Sequence, residues 1–173
     1  MAKPGKPARH DYEYERNGTV NLFMVTEPHK GWRHVEVTER RTKLDWAHVI
    51  KDLVDVRYPD PDRIVLVMDN LNTHRPASLY EAFPPAEARR LIEKLEIHYT
   101  PKHGSWLNIA ENELSSLTRQ CVTGRRFGDV DVLRQETSAW SSDINRRQRG
   151  VDWQMKIDEA RSKLTRIYPK IKV

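Results

Sequence analysis

Two carboxylates stand at places where a chain could use them. Asp69 directly follows five apolar residues in "IVLVMDNLNTH" (Ile64–His74), and Glu111 lies near the front of "LNIAENELSSLTRQC" (Leu107–Cys121). Hard oxygen ligands of this kind suit Mg²⁺ or Mn²⁺. Two such ions held about 3.5–4 Å apart activate a water or hydroxyl and stabilise the leaving oxygen in phosphodiester cleavage. Two carboxylates make a weak two-metal site, and a third is expected. Each acid also has a local alternative. "DNLN" suits a turn after a strand, with Asp69 its first residue. Asn108 to Glu111 fits a capping box, asparagine at N-cap and glutamate at N3. The two roles are compatible, because a helix N-terminus stabilises an ionised carboxylate and metal ligation requires that form.

For the acids to meet, specific elements must carry them. "IVLVMD" reads as a strand buried on both faces, as in a parallel or mixed sheet. "EIHYTP" (Glu96–Pro101) reads as a short strand, and "LNIAENELSSLTRQCVTG" as a helix that stops at Gly124. Neighbouring strands would end about 5 Å apart. A helix starting near Ser105–Asn108 would then begin beside Asp69. At about 100° per residue, Leu107, Ala110, Leu114, Leu117 and Cys121 form one buried stripe. Glu111 and Glu113 flank that stripe at about 80° on opposite sides, so periodicity does not choose between them. Position favours Glu111, which is nearer the strand end.

The remaining elements complete a mixed α/β order. "TVNLFMVTEP" (Thr19–Pro28) and "RHVEVTER" (Arg33–Arg40) are spaced for a hairpin. The first is apolar on both sides and is expected to be the more buried; the second has a solvated face. Thr42 can cap a helix through Tyr58, which Pro59 ends. Helices are expected from Pro76 to Phe83, from Pro84 to Leu95, near Asp129–Arg147 and near Lys156–Tyr168. Residues 1–18, rich in proline, glycine and charge, read as a basic linker arm with a short strand at Tyr12–Glu15.

Of the 173 residues, 30 are Lys or Arg and 25 are Asp or Glu, giving +5. With a pI near 9.4 this favours a polyanionic partner. Cys121 is the single cysteine, which excludes an internal disulfide and fits a reducing compartment. No apolar run approaches the roughly 18 residues of a membrane span. The expected location is cytoplasmic.

"IVLVMDNLNTH" followed by "IHYTPKHGSWLNIAENELSSLTRQC" resembles the catalytic domain of DDE transposases. The likeness is to the bacterial insertion-sequence branch of the mariner-like superfamily, the DDE superfamily endonucleases. It extends from "YERNGTVNLFM" to "EARSKLTRIYP". The resemblance implies a ribonuclease-H-like mixed sheet flanked by helices and an Asp, Asp, Glu/Asp triad binding two Mg²⁺ or Mn²⁺ ions. The second aspartate of that triad matches Asp69, and the final acid matches Glu111, with 41 residues between them. Glu113 matches a variable position. The first aspartate, on a central first strand, has no match here. Asp11 lies in a stretch that resembles the linker after that strand.

The expectation that follows is an N-terminally truncated chain. Residues 1–18 would be the linker arm, and residues 19–173 a partial catalytic domain lacking its first strand. The implied function is DNA transposition by metal-dependent strand cleavage and strand transfer, acting on transposon ends and target DNA. The chain would be inactive alone, would need the missing N-terminal transposase segment, and could act as a homo-oligomer. Two alternatives are a non-catalytic DNA-binding remnant and a ribonuclease-H-like nuclease without strand transfer.

Several other residues are weighed against plainer roles. Lys102 and His103 could contact DNA phosphates or simply be solvated. His74 lies near the site but is expected to be structural. Trp106 is expected to pack at the helix start. Arg125, Arg126, Arg146, Arg147 and Arg149 form either a charged helix face or a DNA track. Cys121 continues the apolar stripe and is expected in the core.

Overall fold

A computed structural model describes residues 18–100, 108–152, 154 and 156–164. Strand β1 (Asn21–Glu27) pairs antiparallel with β2 (Trp32–Thr38), from Asn21↔Thr38 to Glu27↔Trp32. The turn between them needs glycine. Gly31 has φ +64°, and a Cβ there would meet the backbone of Gln148, Arg149 and Gly150 at 2.7 Å. That close approach lets the Val151 N–H donate to the Pro28 carbonyl at 2.9 Å.

Helix α1 (Lys43–Asp52) begins with a full capping box. Asp45 N–H donates to Thr42 Oγ1 (3.2 Å), and Thr42 N–H donates to the Asp45 carboxylate (2.7 Å). The helix continues as a wider π-turn, Leu53–Arg57, and stops before Pro59. Strand β3 (Ile64–Met68) follows, then α2 (Ala77–Ala82), α3 (Pro85–Glu93) and β4 (Leu95–Tyr99). The last three elements described are α4 (Ile109–Leu117), α5 (Val130–Arg146) and α6 (Ile157–Leu164). Helix α4 runs on as a π-turn, Thr118–Val122, and Gly124 ends it in the left-handed region at φ +77°. From β1 onward the expected order of elements is the observed one; the short strand expected at Tyr12–Glu15 lies outside the described residues.

The expected single mixed sheet is divided. Among the described residues β1 pairs only with β2, and β3 pairs only with β4, in parallel from Ile64↔Leu95 to Met68↔Tyr99. Two cores accompany the two pairs. Phe23, Trp46, Ile50, Met68, Leu79 and Leu91 form one, under α1, α2 and α3. Val35, Val37, Leu117, Cys121, Leu133 and Trp140 form the other, where α4 and α5 cover the hairpin. Cys121 is buried there as expected, and burial pushes its thiol pKa up.

Two burial expectations fail for one reason. Ile64, Leu66 and Met68 face the first core, but Val65 and Val67 remain 61% and 54% exposed. Strand β3 is thus covered on one face only. In β1 only Phe23 is buried, whereas β2 buries Arg33, Val35 and Val37. In each strand the two faces are unequally covered by the helices, so neither is enclosed on both sides.

A four-charge cluster ties α1 and its π-turn to α3. Arg90 donates to both Asp55 oxygens (2.8 and 2.9 Å) and to Glu87, and Lys51 joins both acids. Hydrogen bonds from Arg90 are the main cause holding Asp55 and Glu87 at about 2, below their ordinary 3.8 and 4.5. Depressed carboxylate pKa values stabilise the fold above the ordinary range, and that stability fades as pH falls towards about 2. The urea midpoint is expected to drop over that window, and Arg90→Met to flatten the drop.

Candidate metal centre

The parallel pairing of β3 and β4 brings their carboxyl ends together. Thr100 N–H donates to the Met68 carbonyl at 2.9 Å, and Tyr99 Oη donates to the His74 carbonyl at 3.0 Å. Beyond Met68 the chain turns back on itself. His74 N–H donates to the Leu71 carbonyl (3.0 Å), and Ser78 Oγ donates to the Thr73 carbonyl (3.0 Å). The turn returns the His74 ring to Asp69, with Nδ1 2.6 Å from Oδ1. An ionised carboxylate has no proton to give, so Nδ1–H donates to it. The ring is fixed on its other sides by Trp46, stacked at 5.9 Å, and by Phe23 at 6.2 Å. His74 Nε2 is buried without a partner among the described residues.

His74 was expected to be structural. Its place is structural in a specific sense: it sets the rotamer of Asp69, whose side chain stays 38% exposed. The sequence brings His74 near the site but does not show that it bonds Asp69. The available signal was the turn-forming "DNLNT" between them, which reverses the chain.

Asn108 caps α4 by accepting from Ala110 N–H at 3.1 Å. The capping box expected here does not close. Glu111 uses its main-chain N–H to reach the Asn108 carbonyl (3.0 Å), but its carboxylate makes no return bond. That exposed carboxylate has no hydrogen-bond or ion-pair partner among the described residues. The neighbouring α1 box shows what closure looks like in this same chain.

Glu113 has the opposite fate. Its oxygens lie 2.8 and 2.7 Å from Arg33 Nη2 and Nε, with the side chains 15% and 3% exposed. Arg33 also donates to the carbonyls of Gly31 (3.0 Å) and Arg149 (3.1 Å). Glu113 is therefore consumed in tying α4 to β2.

Asp69 and Glu111 line one cleft of about 270 Å³, together with His74, Asn108 and residues of β1 and β3. Their donor atoms fit a hard divalent cation in kind. They do not fit in number, because no group of three or more acids, histidines or cysteines among the described residues is placed to hold a metal ion. Lys102, His103 and Trp106 lie outside the described residues. Arg125 pairs with Glu136 (2.8 Å), and Arg146 and Arg147 pair with Asp143 (3.1 and 2.6 Å). These three form a charged face with its acids in place.

The family model for DDE superfamily endonucleases matches residues 1–134, a span that contains β1 to α4 and both acids of the cleft. The chain belongs to this family. No curated protein and no solved structure matches it. DDE endonucleases act on DNA and generally require a divalent metal ion. No helix among the described residues is long and apolar enough to cross a membrane.

The two glutamates of α4 should separate by mutation. Glu113→Gln leaves the Arg33 charge buried without its counter-ion, and should destabilise by about 3 kcal/mol. Glu111→Gln removes nothing that holds the fold, and should stay within about 0.5 kcal/mol. Urea unfolding of both variants measures the difference.

Proposed function

We propose that the chain carries part of the active site of a DDE transposase of the bacterial insertion-sequence, mariner-like kind, built on a ribonuclease-H-like plan. The observation that carries this reading is the cleft that Asp69 and Glu111 share, with Glu111 released from its local cap. Asp69 is the strand-end acid, held in one rotamer by His74. Glu111 sits in the first turn of α4, where the helix N-terminus favours its ionised form. These two would hold Mg²⁺ or Mn²⁺ together with a third carboxylate from outside the described residues. When bound, such ions supply an activated water and charge stabilisation for phosphodiester hydrolysis. Hydrolysis at a transposon end frees a 3′-hydroxyl, which then attacks target DNA. Lys102 and His103 are proposed phosphate contacts between β4 and α4. In this reading residues 1–18 are a basic arm and residues 19–173 a partial catalytic domain.

That no third acid joins them among the described residues gives one rival its weight: a DNA-binding form that does not cleave. The test joins the chain to a segment that carries the third acid and supplies supercoiled DNA bearing the element ends. Nicking should appear with Mg²⁺ or Mn²⁺, vanish with EDTA, and fall by about 100-fold or more in Asp69→Asn and in Glu111→Gln, the scale set by losing a preorganised charge partner. Unchanged nicking in either variant removes that residue from the site. DNA retention without nicking favours the rival, and nicks without joined products point to a simple nuclease.

A further inference from the structure

We infer that the cavity between α1 and β2 binds a small organic cation with a flat apolar body, of the arylamidinium or arylguanidinium kind. Side chains of β2 alternate between two faces. Arg33, Val35 and Val37 are buried on the side of α5, and Trp32, His34, Glu36 and Thr38 stand on the other. That second face does not close on the helix. A cavity of about 290 Å³ lies between them, and Asp45, His48, Asp52 and Arg57 reach it from α1 and its π-turn. Val25, Val49 and Leu53 give it an apolar floor. The Trp32 ring forms a wall and is held in place on two sides. It meets Tyr58 edge-on, with centroids 5.8 Å apart at 86°, and stacks on His34 at 6.3 Å and 20°. Tyr58 is fixed in turn, because its hydroxyl donates to Glu27 at 2.6 Å.

The polar groups of this cavity are short of donors. Asp45 Oδ2 takes both bonds from Thr42 (2.7 Å each), and Asp52 Oδ2 takes the Arg57 Nε–H (2.8 Å). The second oxygen of each acid has no hydrogen-bond partner among the described residues. Glu36 competes for one nitrogen: His34 Nε2 lies 3.3 Å from both Glu36 Oε2 and Arg57 Nη2. A guanidinium only donates and a carboxylate only accepts, so that nitrogen serves one and leaves the other. Three carboxylates and one guanidinium line the cavity. With the histidines neutral its lining is net negative, in a chain whose net charge is +5. Such a lining repels phosphate, which sets the cavity apart from any DNA contact. A bare metal ion fits no better, since the floor is apolar and no group of three ligands is placed to hold one among the described residues. A flat cation with several N–H donors suits every wall: it meets the spare oxygens, stacks on Trp32 and covers the apolar floor. The floor residues also line the cleft of Asp69 and Glu111, so the two cavities share a wall but no acid. The inference needs neither metal nor DNA and does not rest on the function proposed above.

The test is an NMR titration of the full chain with benzamidine at about pH 8, where imidazoles are ordinarily neutral. The five tryptophans each give one indole N–H signal, and Trp32→Phe identifies that of Trp32. Benzamidine should shift the Trp32 signal saturably, with half-saturation near or below about 1 mM. The signal of Trp46, buried in the first core, should stay in place. Benzoate has the same shape and the opposite charge, and should give no shift. Neutral benzyl alcohol should require at least about tenfold more than benzamidine. Glu36→Gln and Asp52→Asn should each weaken benzamidine by about threefold, and together by about tenfold. Melting temperatures of these variants should stay within about 2 °C of the parent, which separates lost binding from lost fold. Asp69→Asn should bind benzamidine as the parent does, and loss of binding there would move the ligand to the other cleft and overturn the inference. Equal shifts with benzoate or benzyl alcohol would overturn it, as would unchanged affinity in the double variant. Absence of any Trp32 shift would overturn it too, including the case in which the chain's own residues already fill the cavity.

Discussion

Arg33 brings a permanent charge to a position only 3% exposed, and that charge must be met where it stands. Glu113 meets it with both oxygens, and the carbonyls of Gly31 and Arg149 take further N–H groups. Asn145 then bonds the main chain of Arg33 in both directions, at 2.9 and 2.8 Å. One guanidinium thereby joins β2, the hairpin turn, α4 and the end of α5. The glycine at position 31 is part of the same constraint, since any larger residue would push Gln148 to Gly150 away. A buried pair of this kind contributes less to net stability than to geometry, because desolvation offsets much of its attraction. Its effect is to fix the rotation of α4. With Glu113 turned to the hairpin, Glu111 lies about 160° around the helix axis and faces elsewhere.

The same logic, at smaller scale, governs Asp69. Its Oδ1 is held by His74, and His74 is held by Trp46, Phe23 and the turn that precedes it. The first core thus reaches the strand-end carboxylate through one ring. Each acid of the cleft is positioned by another side chain. Glu111 gains its orientation from a neighbour two residues along, and Asp69 from a neighbour five residues along. The separation of the two carboxylates is therefore sensitive to how the two cores sit against each other.

What the sequence made legible was local. Thr42 with Asp45, Pro59, Asn108 and Gly124 mark helix ends by chemistry confined to a few neighbouring residues, and these boundaries stand in the structure. The adjacency of β3 and β4 entered only as a condition for the acids to meet, and the structure meets it with a parallel pair. What stayed hidden depended on distant partners. Glu111 and Glu113 are equivalent by periodicity, and the residue that distinguishes them is 80 positions away. The apolar run of β3 reads the same whether its second face is covered or bare. Whether Glu111 closes a capping box turns on side-chain geometry that residue types alone do not fix.

The divided sheet places the candidate chemistry where the molecule is least closed. An isolated two-stranded pair is marginal, and each pair here is stabilised by its helices rather than by the other pair. Across the cleft, contact is made by side chains such as Phe23, while the outer edge of β3 has no strand partner among the described residues. Backbone groups left this way favour any arrangement that gives them partners. The end of β3, which leads into Asp69, and the start of α4, which carries Glu111, rest on different pairs, so the separation of the two carboxylates follows how those pairs pack.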